Sequence, residues 1–135
     1  MQMPDAIDPN LLAPCGMNCL VCYVHLRKKK PCRGCRAMDG SQPDHCRVCK
    51  IKTCAGEHGV AFCSDCPDFA CAVIKRLDRS YGHRYTVSLV EDAWRRQVLG
   101  VEAYLLEEKA RWGCAVCGGV ISLHDRVCSE CGASR

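Results

Sequence analysis

Cysteine density is the feature that most limits how this chain can fold. Eleven of the fifteen cysteines in the 135-residue chain lie between Cys15 and Cys71, and no ordinary hydrophobic core has that density. Chains this short bury a limited fraction of their surface, and cysteine-rich units usually need covalent or metal cross-links to fold. The thiols of this segment must therefore hold a metal ion, an iron–sulfur cluster or one another.

Disulfides are the less favoured use of these thiols. The first thirty residues lack a basic start followed by an apolar stretch, which argues against a signal peptide and predicts a cytoplasmic location. The cysteine count is odd, so complete pairing within the chain would leave one thiol over. No apolar run approaches the roughly 20 residues that span a bilayer, and we expect no membrane association.

CxxC pairs recur through residues 15–71, which we assign as a loop-rich metal-binding domain. Two residues between cysteines allow a tight turn that directs both sulfurs at one ion about 2.3 Å away. Four pairs would make two all-cysteine sites and leave Cys15, Cys54 and Cys71 as single thiols; adjacent and interleaved pairings fit equally well. The pairs are Cys19/Cys22, Cys32/Cys35, Cys46/Cys49 and Cys63/Cys66.

Iron–sulfur ligation is the alternative for the same segment. Cys15, Cys19 and Cys22 have the CxxxCxxC spacing with which radical S-adenosylmethionine enzymes hold a [4Fe–4S] cluster, but this chain is too short for the large barrel of those enzymes. The stretch 63–71 shares clustered cysteines and a following proline with ferredoxins, without their full spacing. Zinc and iron–sulfur clusters both accept four thiolates, so ligand type leaves the two alternatives open.

Residues 113–135 have the pattern of a zinc ribbon. Two CxxC knuckles, each followed by glycine, are separated by ten residues, and the stretch 120–123 between them has strand composition. We therefore predict a hairpin that brings both knuckles to one tetrahedral zinc. His124 is expected to be exposed, because four sulfurs complete the site. The predicted ligands are Cys114, Cys117, Cys128 and Cys131.

The remaining polar residues of the cysteine-rich block are expected to lie on its surface. With eleven thiols available, we expect His25, His45 and His58 to be exposed and not to ligate metal. The basic residues of 27–52 could contact nucleic-acid phosphate, but we favour a role in balancing thiolate charge, because aromatic residues are scarce among them. These residues are Arg27, Lys28, Lys29, Lys30, Arg33, Arg36, Arg47, Lys50 and Lys52.

Net charge is weak support for nucleic-acid binding. The formal value of +4 treats every cysteine as neutral, whereas a four-thiolate zinc site carries about −2 in total. Three such sites would bring the molecule to about −2. No hydrolytic or phosphate-binding motif occurs in the sequence, which argues against an enzyme.

Residues 72–112, which follow the cysteine-rich block, are predicted to be helical. Residues 1–14, which precede that block, are predicted to be a flexible leader. Apolar spacing from Phe69 to Leu77 predicts a first helix capped by Asp68 and interrupted at 81–85.

Two further helices are predicted after this break. Ser88 and Glu91 fit a capping box at the start of the second, and Gly100 is a natural stop. A third helix is predicted from Glu102 to Trp112, and the aromatic side chains are expected in the core. The predicted apolar side of the second helix comprises Leu89, Val90, Ala93, Trp94 and Val98.

The ordered cysteine spacings resemble the domain-of-unknown-function 3795 family, small cysteine-rich proteins of bacteria and archaea, many from anaerobes. The similar segments are 13–22, Cys32 to Cys35, Cys49 to Cys54 and 62–71, and similarity continues to Trp112. The C-terminal cysteines are similar to a tail that many members carry. Members are described as zinc binders, and the family pattern does not depend on Cys46. The resemblance therefore implies that Cys46 is the spare thiol and that Cys15, Cys54 and Cys71 are ligands.

The sequence as a whole predicts a small, metal-stabilised α+β protein with two to three helices and a C-terminal zinc-ribbon hairpin. We expect about three zinc ions, with a [4Fe–4S] cluster in residues 15–71 as the alternative. The expected function is a structural module for a protein partner; the alternatives are an electron carrier or accessory factor for a redox enzyme, and a nucleic-acid-binding zinc protein. The predicted ligands are Cys15, Cys19, Cys22, Cys32, Cys35, Cys49, Cys54, Cys63, Cys66, Cys71, Cys114, Cys117, Cys128 and Cys131.

Overall fold

The computed structural model describes residues 1–135 as a small helical protein. None of its helices has both the length and the apolar composition needed to cross a bilayer. Short 3-10 turns occur at Pro9–Leu11, Cys19–Val21 and Cys63–Asp65. The α-helices are α1 (Tyr23–Leu26), α2 (Asp44–Arg47), α3 (Lys50–Glu57), α4 (Ala72–Tyr85), α5 (Leu89–Leu99) and α6 (Val101–Trp112).

The chain contains no β-strand, which corrects the predicted α+β class and the predicted hairpin. Residues 113–135 form isolated antiparallel bridges only. Turns occupy residues 115–117, 123–125 and 129–131, so pairing between them never extends far enough to build a ladder. The bridges within this segment are Gly113–Val120, Ile121–Cys128 and Val127–Ser134.

Helix α4 continues through residues 81–85, where the sequence predicted a break. Thr86 ends it in the left-handed conformation at φ 57°, and Cys71, not Asp68, occupies the N-cap position. The helix contains Gly82, and a glycine inside a helix costs only about 1 kcal/mol relative to alanine. The rings of Tyr81 and Tyr85 both pack against the C-terminal segment, and these contacts offset that cost.

Helices α5 and α6 confirm the predicted second and third helices. The Ser88 hydroxyl accepts a hydrogen bond from the Glu91 backbone N–H at 3.1 Å, which satisfies a donor left free at the helix start. Gly100, between the two helices, has a φ of 84° that favours glycine. Local capping chemistry therefore sets this helix start and the turn after it.

The predicted apolar side of α5 is only partly buried. Leu89 and Ala93 lie in the interior, whereas Trp94 and Val98 are 55% and 85% exposed. The expectation that the aromatic residues lie in the core is wrong for Trp94. It holds for Tyr104 and Trp112 of α6, which are each 1% exposed.

One hydrophobic core is shared by the two ends of the chain and the helices between them. It includes Leu12 and Val21 from the N-terminal part, Trp112 from α6, and Val120 and Ile121 from the C-terminal segment. Burial of apolar surface from all these parts holds them together. The cysteine knuckles are therefore attached to a common core.

Residues 1–14 are packed against the rest of the protein, in contrast to the predicted flexible leader. Ile7 and Leu12 are 5% and 0% exposed. The Met3 backbone N–H donates to the Gly118 carbonyl at 3.0 Å, and an antiparallel bridge joins residues 2 and 119. The apolar positions of this segment have buried partners that its Pro- and Asp-rich composition did not reveal.

A buried polar network ties α6 to the cysteine-rich part. The Glu108 carboxylate, 2% exposed, accepts hydrogen bonds from Asn18 Nδ2 and Trp112 Nε1, both at 3.1 Å. Arg111 donates to Glu108 at 3.2 Å and to Asp92 at 3.1 Å. Burial raises the pKa of Glu108, and the Asn18 amide and Arg111 oppose that rise. The network places Asn18, which precedes Cys19, in a fixed position.

Candidate metal centres

The C-terminal cysteines form two similar knuckles. In the first, the Cys114 carbonyl accepts a hydrogen bond from the Gly118 N–H at 2.8 Å. In the second, the Cys128 carbonyl accepts one from the Gly132 N–H at 3.1 Å. Both glycines have φ near +75°, a conformation that side chains disfavour. Each knuckle therefore turns the chain back and points its two sulfurs inward.

The four sulfurs of this segment lie within 4.8 Å of one another. The Sγ–Sγ distances are 3.7 Å between Cys114 and Cys131 and 3.6 Å between Cys117 and Cys128. Four ligands about 2.3 Å from a tetrahedral zinc would stand about 3.8 Å apart. The residues present fit a metal ion of this size, and the structure brings the four predicted ligands together.

The thiols of this site differ in acidity. Burial would raise the pKa of Cys128, but backbone N–H groups of Cys131 and Glu130 and the neighbouring thiols lower it to about 6. The Gly119 N–H lowers the pKa of Cys117, yet the adjacent thiols and burial outweigh it and raise that pKa to about 12. A metal ion would meet a thiolate at Cys128 at neutral pH and would displace the proton of Cys117.

A second neighbourhood of thiols contains Cys19, Cys22, Cys32 and Cys35. The Cys35 backbone N–H donates to Cys19 Sγ at 3.4 Å. The contact with Cys19, followed by burial, raises the pKa of Cys35 far above its usual range. Burial, with Cys32 and Cys35 nearby, also raises the pKa of Cys22. These sulfurs are less tightly grouped than the C-terminal four, because no three of them lie within 4.8 Å of one another.

Cys15 lies where separate segments of the cysteine-rich part meet. The Cys63 backbone N–H donates to the Pro14 carbonyl at 2.8 Å, which brings the 63–65 turn to this point. Burial raises the pKa of Cys15 to about 12, and Cys35, Cys49 and Cys63 add to the rise. The thiols of Cys35, Cys49 and Cys63 therefore lie close enough to Cys15 to affect its pKa.

The outer thiols follow the same trend. Burial raises the pKa of Cys63 to about 11, with Cys54, Cys71 and Cys66 contributing in that order. Burial also raises the pKa of Cys46, and Cys35 contributes the most of the neighbouring thiols. Cys46 thus lies beside the other cysteines, and its expected role as the spare thiol stays a prediction.

A buried arginine lies beside Cys15, and no sequence pattern predicted its position. Arg96 is 4% exposed; its Nη2 donates to Ser64 Oγ at 2.6 Å and its Nη1 has no hydrogen-bond partner. Nη1 is 3.5 Å from the position a Cβ would take on Gly16. Its guanidinium stacks on the Phe62 ring at 4.0 Å. A positive charge without a carboxylate partner is thus held near the converging thiols.

The histidines differ from the expectation that all would be exposed. His25 Nδ1 is 2.5 Å from the Cys32 carbonyl and is half-buried. His45 and His58 are exposed, but His58 lies with Cys66 and Asp68 in a second group of candidate ligands. Sequence reasoning missed this group, although His58 follows Cys54 by one helical turn.

His124 is the clearest correction, since it was predicted to be exposed. Its ring packs edge-on against Tyr23 at 4.9 Å and Tyr85 at 4.8 Å, with Tyr81 at 6.2 Å. Its Nδ1 is buried without a partner, and burial lowers its pKa. The residue docks the C-terminal segment onto α1 and α4.

Two arginines of the basic residues in 27–52 make contacts within the protein. Arg36 donates to the carbonyls of Leu12 and Ala61 at 2.6 and 2.5 Å, and Arg47 pairs with Asp44. Lys28, Lys29 and Lys30 are exposed. The cationic surface is therefore smaller than the sequence count implied.

Comparison with known proteins yields one match. Residues 11–76 match the model of a family described as "Protein of unknown function (DUF3795)". This segment covers the eleven cysteines of the first block, with the C-terminal four outside it. No curated protein and no solved structure matches the chain.

Proposed function

Since residues 11–76 match the DUF3795 family model and that family has no described function, we propose the function of this chain from its own geometry. The protein binds zinc at the C-terminal cysteines and serves as a metal-stabilised module for a protein partner. The observation that carries the proposal is the grouping of four sulfurs within 4.8 Å, at spacings that a tetrahedral zinc requires. The residues are Cys114, Cys117, Cys128 and Cys131.

A structural role follows from the closed ligand set. Four thiolates fill the coordination sphere of zinc and leave no position for a substrate. The bound ion would fasten together two knuckles that otherwise meet through isolated bridges and the shared hydrophobic core. Metal binding would therefore contribute directly to the folding free energy of residues 113–135.

A protein partner is favoured over nucleic acid. Trp94 and Val98 expose apolar side chains from one face of α5, four residues apart. Within the basic run, Arg36 donates to a backbone carbonyl and Arg47 is paired with Asp44 at the surface, so neither is a free cation. Retention on nucleic acid that falls steeply with added salt would favour the other partner class.

An iron–sulfur cluster within residues 15–71 is the second candidate. The specific observation is the convergence on Cys15 of the thiols of Cys35, Cys49 and Cys63, because such clusters are held by four thiolates. In that case the protein would act as an electron carrier or accessory factor for a redox enzyme, with zinc at the C-terminal site alone.

Elemental analysis with an absorption spectrum tests both candidates on protein purified without oxygen. We expect about three zinc ions per chain and no visible band. Cys131→Ser should lose about one zinc, while the matched control Cys46→Ser should keep the full number. Unchanged zinc in Cys131→Ser would refute the C-terminal site. Iron with acid-labile sulfide would establish the second candidate.

A further inference from the structure

His58, Cys66 and Asp68 form a group of candidate ligands of a different kind. One ring nitrogen, one sulfur and one carboxylate oxygen lie within 4.8 Å of one another. His58 follows α3, Cys66 follows the 63–65 turn, and Asp68 precedes α4. His58 and Asp68 are exposed and Cys66 is half-buried. Three separate segments thus present three different donor atoms at the protein surface.

The backbone fixes which nitrogen of His58 can bind an ion. Nδ1 is 2.8 Å from the Cys54 carbonyl, one helical turn back. A carbonyl only accepts, so Nδ1 carries the proton and donates it, and the lone pair lies on Nε2. Histidines that ligate metals are held in this way by a second hydrogen bond, which sets the tautomer and the ring orientation.

The donor set selects the class of ion. Imidazole, thiolate and carboxylate together are typical zinc ligands, whereas magnesium and calcium prefer oxygen alone. Three protein ligands at an exposed position leave the fourth coordination position to water. The C-terminal site, in contrast, has four sulfurs, with Cys114 and Cys128 buried.

We propose that His58, Cys66 and Asp68 bind a zinc-class divalent ion with one coordination position open to solvent. An ion held in this way exchanges readily with small chelators and competing thiols, while the ion of the four-sulfur site exchanges slowly. Of the roughly three zinc ions expected per chain, the one held through Cys66 is then exchangeable and the others are structural. This inference rests on the proposed function in one respect only, the class of ion that the protein binds.

Chelator kinetics test the proposal on the full-length protein, loaded with Zn²⁺ without oxygen. A coloured zinc indicator should record a fast phase of about one ion, as one site predicts, followed by slower release. His58→Ala should remove the fast phase and keep the slow one. His45→Ala, an exposed histidine next to a cysteine, is the matched control and should behave as wild type. Cys131→Ser should lose slow zinc and keep the fast phase.

Asp68→Asn provides an independent variant, since Asp68 is exposed and the change conserves shape. Its affinity for the fast-released zinc should fall about tenfold or more. Co²⁺ should give a visible band of mixed nitrogen and sulfur ligation that His58→Ala abolishes. A fast phase that survives in His58→Ala and in Asp68→Asn, or release of all zinc in one phase from wild type, would overturn the proposal. Unchanged slow zinc in Cys131→Ser would refute the C-terminal site instead.

Discussion

Removal of the Glu108 carboxylate should destabilise the protein by leaving buried hydrogen-bond donors without an acceptor. In Glu108→Ala, Asn18 Nδ2 and Trp112 Nε1 lose their acceptor inside the core. Each stranded donor costs about 1–3 kcal/mol. Arg111 keeps its contacts with Asp92, so its contribution is smaller. We therefore expect a loss of about 2–5 kcal/mol, out of a total stability of about 5–15 kcal/mol.

Two further variants separate the hydrogen bonds from the charge. Glu108→Gln keeps one acceptor oxygen for Asn18 and Trp112 and should cost about 1–2 kcal/mol, because its amide then faces the Arg111 donor. Glu107→Ala is the matched control, since Glu107 is an exposed neighbour that pairs with Arg95 at 2.8 Å. Exposed pairs contribute about 0.2–1 kcal/mol.

Urea unfolding at saturating zinc and under reducing conditions measures these differences. The order of unfolding free energies should be wild type, Glu107→Ala, Glu108→Gln and Glu108→Ala, from most to least stable. Because Asn18 caps the 19–21 turn through its bond to the Leu20 N–H, Glu108→Ala should also weaken zinc binding in the cysteine-rich part. If Glu108→Ala were no less stable than Glu107→Ala, the argument from stranded donors would be wrong.

Three further predictions concern other sites. Burial lowers the pKa of His124. Its contribution to stability is therefore present above the usual histidine pKa of about 6.5 and is lost as the pH falls. The melting temperatures of wild type and His124→Phe should diverge below that pH, and parallel curves would contradict this. Gly119→Ala places a Cβ 2.8 Å from Cys128 Sγ, so this variant should lose the C-terminal zinc. Gly56→Ala has open space around the new Cβ. It should keep all zinc and gain about 0.5–1 kcal/mol in unfolding free energy. Arg96→Met should stabilise the metal-free protein by about 1 kcal/mol and weaken zinc binding; stronger binding would refute charge compensation at Cys15.

Features governed by short-range chemistry were predictable from the sequence. The helix start at Ser88, the turn at Gly100 and the grouping of the C-terminal cysteines all depend on spacings of a few residues. Two knuckles with glycine after each cysteine pair have few ways to arrange their sulfurs. The predicted hairpin failed because its strands were inferred from composition alone, and turns interrupt the pairing.

Features governed by contacts between distant segments were not predictable. His124 is half-buried because tyrosines of α1 and α4 surround it, and nothing within the C-terminal segment indicates this. Arg96 and Trp94 lie on one helix, yet the arginine is buried and the tryptophan exposed, against the usual preference. Their positions follow from where the cysteine-rich part covers α5, which is a property of the whole fold.

The contact between residues 1–3 and residues 118–120 has a consequence for biosynthesis. Met3 and Gln2 find their backbone partners in Gly118 and Gly119, so these contacts form only after the C-terminal cysteine segment has been synthesised. The eleven cysteines of residues 15–71 are synthesised before that segment. The ions proposed for them would therefore find their ligands before these contacts close the fold.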